Sequence, residues 1–371
     1  MLKCFVFKLL IVSLRNLITI NYDLKLTIMK KLLLITLVCW CAIAVSAQNQ
    51  VQTAILQHGA ETTVYNGSQA LVNAYNAAVN GDVITLSAGT FTPTNIEKSV
   101  SLYGAGFENH DDLGTHLTIM GGFAVGLAND TLRNVHIEGI YVNGRLRIAG
   151  GPTDQLHIVK CYVNEQIFFE QMSQNTIIDQ CIVKSNLTSY NSRYLAKNML
   201  VTNTLVMGNL SGFLPESTVM IDHCMLRNQL WKYDETAAFT WINCIFYNDD
   251  RACWDSDYRM VSPASVVRNC IHVQDASGSY NTFNGFRDAD VDGCWLVRLA
   301  DIFADGENGA YTETRTYELQ QPDVWVGTDG TEVGLRGGHG WGKAPGIPVV
   351  KSMQLAVEGT QLKVDYEAEA R

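Results

Sequence analysis

Residues able to do chemistry concentrate in one stretch, 229 to 260, which holds Trp231, Tyr233, Asp234, Glu235, Asp249, Asp250, Arg251, Trp254, Asp255, Asp257, Tyr258 and Arg259. Flat aromatic faces with fixed carboxylates and guanidiniums beside them suit a polysaccharide. Loops on a rigid scaffold are where such groups gather. A second loop, Tyr280, Asn281, Phe283, Phe286, Arg287 and Asp288, is placed to join it. The candidate glycan-binding residues are Trp231, Tyr233, Asp249, Asp250, Arg251, Trp254, Asp255, Asp257, Tyr258 and Arg259. The plainer alternative is that these aromatics only pack a long loop onto the body of the protein. No cofactor is expected. Calcium is the one ion that adjacent carboxylates such as Asp255 and Asp257, or Asp288 and Asp290, would suit, although no spaced loop motif supports it. No Cys-x-x-Cys pair is present, which leaves zinc without support.

Charge narrows the partners. The first 47 residues hold six basic side chains and one acidic, leaving 21 basic against 36 acidic in the rest, a net charge of -15. Nucleic acid is therefore excluded as a partner gripped by charge, and so is an anionic membrane surface. Met29-Lys30-Lys31, the apolar run Leu32 to Ala44 and the small residues Val45-Ser46-Ala47 read as a secretory signal peptide at 29–47, with 1–28 an upstream extension; an uncleaved anchor is the alternative. Lys8 and Arg15 break the earlier apolar run Cys4 to Ile20, so no transmembrane span is expected in the mature chain, which is read as exported to the periplasm, cell surface or medium.

The elements that must position the candidate residues follow from a repeat. His136-Ile137-Glu138-Gly139-Ile140-Tyr141-Val142 returns as His157-Ile158-Val159-Lys160-Cys161-Tyr162-Val163 and as Ile177-Ile178-Asp179-Gln180-Cys181-Ile182-Val183, and continues around residues 204, 224, 244, 270 and 294. The central positions step by 21, 20, 23, 20, 20, 26 and 24 residues, a solenoid period. Val, Ile, Tyr and Cys dominate, and no repeat has room for a helix, so the expected fold is all-β, a right-handed parallel β-helix of about ten coils. The position before the centre is Gly, Lys, Gln, Asn, His, Asn, Asn, Gly, a set suited to a left-handed backbone. A bend there lets the residues at minus three, zero and plus two face inward, and draws the apolar plus-one column into the core as well. Six of the eight central residues are Cys, so the column is expected to want something small and apolar. Neighbours in a parallel stack stand about 4.8 Å apart, wider than the ~3.8 Å a bridge prefers, so free buried thiols are expected rather than disulfides.

Open ends of such a stack need lids. Ser68 to Asn80 carries an apolar stripe at helical spacing (Ala70, Leu71, Ala74, Tyr75, Ala78, Val79) with Gly81 placed to end the helix. Val349 to Val357 and Gln361 to Ala368 read as a C-terminal hairpin that must pack on the final coil or on a partner. The expected organisation is a cap and first coil over 48–98, the β-helix over 99–344 and the hairpin over 345–371.

Gly81-Asp82-Val83-Ile84-Thr85-Leu86-Ser87-Ala88-Gly89-Thr90-Phe91, Leu102-Tyr103-Gly104-Ala105-Gly106 and Asp329-Gly330-Thr331-Glu332-Val333-Gly334 resemble secreted right-handed β-helix proteins of the pectin-lyase-like superfamily from Bacteroides-type bacteria. The resemblance covers roughly residues 50 to 350. It implies a fold and, through the known enzymes of that fold, action on acidic polysaccharides. Met220-Ile221-Asp222-His223 is similar to a pectate-lyase stretch, but it falls inside the repeat phrase and no Arg-x-Pro-x-x-Arg segment matches. Gly338-His339-Gly340 is similar to a polygalacturonase motif, but the carboxylate elements that should precede it are missing, so a glycine-rich turn is expected. The leading functional reading is a polysaccharide-binding β-helix without proven catalysis. A lyase or glycoside hydrolase on acidic glycans is the alternative. A structural or adhesive envelope protein, whose hairpin adds to a partner's sheet, is the third.

Overall fold

The computed structural model describes residues 52–108, 117–227, 237–247, 259–274, 283–306, 311–342, 349–358 and 361–369. The chain is an all-β parallel solenoid. About eight turns carry the repeated phrase, against the ten or so expected; the steps before residue 130 stack in the same sheet but are less regular. Every residue at minus one adopts positive φ: Gly139 (70°), Lys160 (47°), Gln180 (52°), Asn203 (41°), His223 (49°), Asn243 (56°), Asn269 (48°) and Gly293 (66°). One left-handed residue turns the chain through a corner between two short strands, which explains why no helix is needed to close a coil.

Three walls result. The first stacks Thr153–Val159, Ile177–Asp179, Met199–Thr202, Val219–Asp222, Thr240–Ile242, Val266–Arg268 and Asp290–Asp292 in parallel register. The second, after the corner, stacks Tyr162–Val163 through Trp295–Arg298. A third holds Leu146–Ile148, Ile167–Phe169, Leu187–Ser189 and Leu210–Ser211. Minus-three residues Ile137, Ile158, Ile178, Val201, Ile221, Trp241 and Val267 are fully buried, as are plus-two residues Val142, Val163, Val183, Val206, Leu226 and Phe246. Each such side chain contributes roughly 1.5–3 kcal/mol by leaving water.

The six described cysteines are free and, apart from half-buried Cys294, buried. The column is small and largely buried as expected, with Ile140 among its members, and its sulfurs are hydrogen-bonded as well. Each thiol donates to the carbonyl two residues back, at 3.2 Å for Cys161 and Cys181 and 3.1 Å for Cys244. Several also accept the backbone N–H of the coil below: Cys161 N–H to Cys181 Sγ (3.4 Å), Cys244 to Cys270 (3.3 Å) and Cys270 to Cys294 (3.4 Å). Thr204 plays the same part with a hydroxyl, accepting from Cys181 N–H at 3.2 Å and donating to Thr202 O at 2.8 Å. The corner withdraws the N–H of the central residue from the regular ladder, and a short donor–acceptor side chain satisfies it.

At the N-terminal end, strands β1 (Thr53–His58) and β2 (Glu61–Asn66) form an antiparallel pair that the sequence did not suggest. β1 then pairs antiparallel with β3 (Val83–Leu86), the first strand of the stack. Helix α1 (Ala70–Ala77) covers the core with Ala70, Leu71, Ala74 and Tyr75, and is shorter than expected, leaving Val79 exposed. Lys98 Nζ caps its C-terminal carbonyls, donating to Tyr75 O (2.7 Å) and Ala78 O (2.8 Å). The C-terminal hairpin forms over Val349–Glu358 and Gln361–Glu369, a separate two-stranded sheet. No helix among the described residues is long and apolar enough to cross a membrane.

After the last coil the chain doubles back. Residues 326–342 run from the corner at Asn269 toward that at Gln180 as an irregular strap, and the minus-one side chains fasten it. Asn269 Nδ2 donates to Val326 O (2.9 Å), Asn243 Oδ1 accepts from Thr328 N–H (2.8 Å), Asn203 Nδ2 donates to Leu335 O and Gly337 O (both 2.8 Å), and Gln180 Oε1 accepts from Gly342 N–H (2.7 Å). The plus-one column, buried from Ile182 to Ile271, lies under this strap as well as beside the bend: a Cβ on Gly334 would meet Ile245 Cδ1 at 2.4 Å. Gly327, Gly334 and Gly337 are required where the strap lies directly on the coils; a Cβ at Gly337 would meet His223 Cδ2 at 2.3 Å.

Candidate functional site

The strongest described site lies on the third wall, away from the strap. Seven residues after the phrase centres at 140, 161, 181 and 204 one register position recurs, stacking Arg147, Phe168, Thr188 and the buried Ser211 in one column above Ala124. Inward neighbours Leu146, Ile148, Ile167 and Phe169 are fully buried and anchor the strands that present them. Asn95, Gly122, Phe123, Ala124, Arg145 and Arg147 line an open cleft of about 330 Å³ at the foot of this column. Gly122 permits the close approach of two coils, because a Cβ there would meet Arg145 O at 2.8 Å. Asn95 Oδ1 accepts from Ala124 N–H (3.0 Å) and so fixes one rim.

The two guanidiniums are held by carboxylates, Glu165 exposed and Glu170 half-buried. Arg147 donates through Nε to Glu170 Oε1 (3.1 Å) and through Nη2 to Glu170 Oε2 (2.5 Å); Arg145 Nε donates to Glu165 Oε2 (3.0 Å). The hydrogen bond to Glu170 holds the Arg147 pKa above its ordinary value. Pairs this open contribute little to stability, about 0–1 kcal/mol, so exchanging a glutamate for a ligand oxygen costs little. Above them Phe168 stands edge-on to Tyr190 (ring centroids 5.9 Å), and the Arg193 guanidinium lies 5.9 Å from the Tyr190 ring. Tyr190 is 44% exposed. Charged forks at the foot and flat aromatic faces above make a surface suited to a sugar chain.

A second grouping sits where the strap meets the first wall. His223, buried, has Nδ1 2.8 Å from Asp222 Oδ1 and Nε2 3.1 Å from Thr331 Oγ1 and 3.6 Å from Asp329 Oδ1. His339 Nε2 lies 2.9 Å from Asp179 Oδ1. The two motifs set aside in the sequence are thus brought to one seam: Gly338-His339-Gly340 does turn through positive φ at both glycines, yet it returns to the coil at residue 180 instead of standing beyond the last one.

Of the loop residues expected to bind glycan, Trp231, Tyr233, Asp249, Asp250, Arg251, Trp254, Asp255, Asp257 and Tyr258 lie outside the described residues. Arg259 is described: it is buried, pairs with Asp288 Oδ2 (2.5 Å) and donates to Arg287 O (3.3 Å), so it ties the start of one coil to the next. Asp290, named with Asp288 for calcium, pairs with Arg268 at 2.6 Å. Phe283 and Phe286 pack around buried His272, which donates from Nδ1 to Val273 O (2.7 Å) and accepts from Gly285 N–H (3.1 Å) at Nε2. Burial pushes the His272 pKa down to about 4. The column of Arg147 and Phe168 is not marked by any local density of aromatic and charged residues. Its signal was positional, the constant offset of seven from the centres at 140 and 161.

Compared with protein-family models, curated proteins and solved structures, the chain matches none.

Proposed function

We propose that the protein binds a polysaccharide along the third wall of its β-helix, with no catalysis needed at that surface. The observation that carries the reading is the continuity between the cleft at Asn95, Phe123, Arg145 and Arg147 and the Phe168–Tyr190 faces above it. The signal-like segment at 29–47 and the phrases similar to secreted pectin-lyase-like proteins support an exported glycan-facing role. A glycan array followed by calorimetry on the ligand it identifies tests this. Arg147→Ala and Phe168→Ala should each weaken binding about tenfold, the equivalent of ~1.4 kcal/mol, with an unchanged circular dichroism spectrum. Binding unaffected by both substitutions places the glycan elsewhere.

A hydrolase is the second reading, favoured by Asp179 and Asp222. They face outward two rungs apart in one column, about 9.6 Å by strand spacing, and each carries a histidine. Inverting glycosidases place their carboxyls about 6.5–9.5 Å apart, a little less than this backbone spacing, so the two side chains would have to lean toward each other. Reducing-end release from acidic and neutral glycans that disappears in Asp222→Asn would establish it; no release by the wild type removes it.

A further inference from the structure

The first wall carries an outward stripe with no role in either reading. Parallel register aligns Ile177, Leu200, Met220, Thr240 and Val266 in one column, bounded by His157 on one side and Asp290 on the other. Met220 is 39% exposed and the others are part-exposed. Four aliphatic side chains in five adjacent rungs form a strip about 19 Å long on a flat sheet, a surface that a polar solvent disfavours.

The C-terminal hairpin supplies what such a strip lacks. Its register sets Met353 opposite Tyr366, Leu355 opposite Val364 and Val357 opposite Leu362, while Gln354, Ala356 and Glu358 oppose Asp365, Lys363 and Gln361. Apolar and polar positions therefore alternate in phase across both strands, and a two-stranded sheet with one apolar side is marginal by itself. Its tether ends in the right place. Gly342 is bonded to Gln180, and His339 to Asp179, which lies two residues, about 7 Å, from Ile177 along the same strand. Seven Cα steps join Gly342 to Val349, a reach of at most about 24 Å. The strip is within that radius over its whole length. The last coil at residue 294, five rungs or about 24 Å from Gln180, is reached only by a fully taut linker.

We propose that the hairpin of this same chain docks across the Ile177–Val266 strip as a second sheet layer, leaving Glu358, Lys363, Asp365 and Glu367 on its outer side. The occupant is the chain's own tail rather than the final coil's lid or an added strand on another protein's sheet. Hydrogen exchange on the full chain tests it. Amides of 349–358 and 361–369 should be protected in the wild type, independently of dilution. They should exchange at least tenfold faster in Leu200→Asp/Met220→Asp, while coil amides are unchanged. Unprotected hairpin amides in the wild type, or protection indifferent to the double substitution, overturn the proposal; protection lost on dilution makes a second copy the occupant and overturns it too. Should the double variant fail to fold, a chain ending at Gly342 gives the second readout. It should bind an apolar fluorescent dye that the full chain does not, and equal dye binding by the two chains refutes the docking.

Discussion

Asn203 shows how much one side chain does at a corner. Its φ of 41° suits asparagine better than almost any residue but glycine, and its amide holds the carbonyls of Leu335 and Gly337. Asn203→Ala should therefore lose about 2–3 kcal/mol in urea unfolding, from two buried acceptors left without a donor and from a left-handed alanine. Asn203→Gly should lose less, because it restores the backbone freedom but not the bonds. His272 makes a different prediction. It is neutral in the folded protein down to about pH 4, against an ordinary value of 6.5. Between those values the unfolded chain binds the extra proton, so stability contributed by the neutral ring is complete above pH 6.5 and falls as the pH drops toward 4, by on the order of 3 kcal/mol. Urea midpoints of the wild type and His272→Leu, followed from pH 7.5 to 4, should converge as the pH falls.

The recurring corner is the element that the sequence made plain. Gly, Asn, Lys, Gln and His at minus one, with Ile, Val or Trp two residues earlier, are sufficient to place the bend, because left-handed tolerance and inward periodicity are local properties. The thiol column was legible as buried but not as bonded, since a hydrogen bond to the next coil depends on a register that no single coil contains. Cys270→Val should cost about 1–2 kcal/mol more than Cys270→Thr, because valine leaves the Cys244 N–H without its acceptor while threonine copies the arrangement at Thr204. Thermal denaturation of the two variants decides it. The strap was not legible. Gly327 to Gly342 reads as turns, and nothing in its composition says that it reverses over coils up to 162 residues earlier. The candidate glycan wall was half legible: Arg145-Leu146-Arg147 alternates like a strand, but its meaning needs Phe168 one rung above.

At the scale of the molecule, two coverings act on a repetitive body: a mixed cap of β1, β2 and α1 at one end, and the strap along one corner. A chain ending at Asp301 keeps every turn but loses the cover over Leu205, Met225 and Ile245, side chains at or near zero exposure. It should aggregate or bind apolar dye, whereas the intact chain stays monodisperse in size-exclusion chromatography. Among the described cysteines, mass-mapped alkylation should leave Cys161, Cys181, Cys224, Cys244 and Cys270 unmodified under native conditions and reach Cys294 first.

A stack of similar turns ordinarily comes apart piecemeal, each unit answering mainly to its neighbours. Here bonds from a single late segment reach residues 180, 203, 243 and 269 at once, with sequence separations from 57 to 162. Those turns are bolted to one bar, so denaturant should release them in one concerted transition. The bar is also the last of these parts to leave the ribosome, so the central turns reach their final strength only after it has emerged.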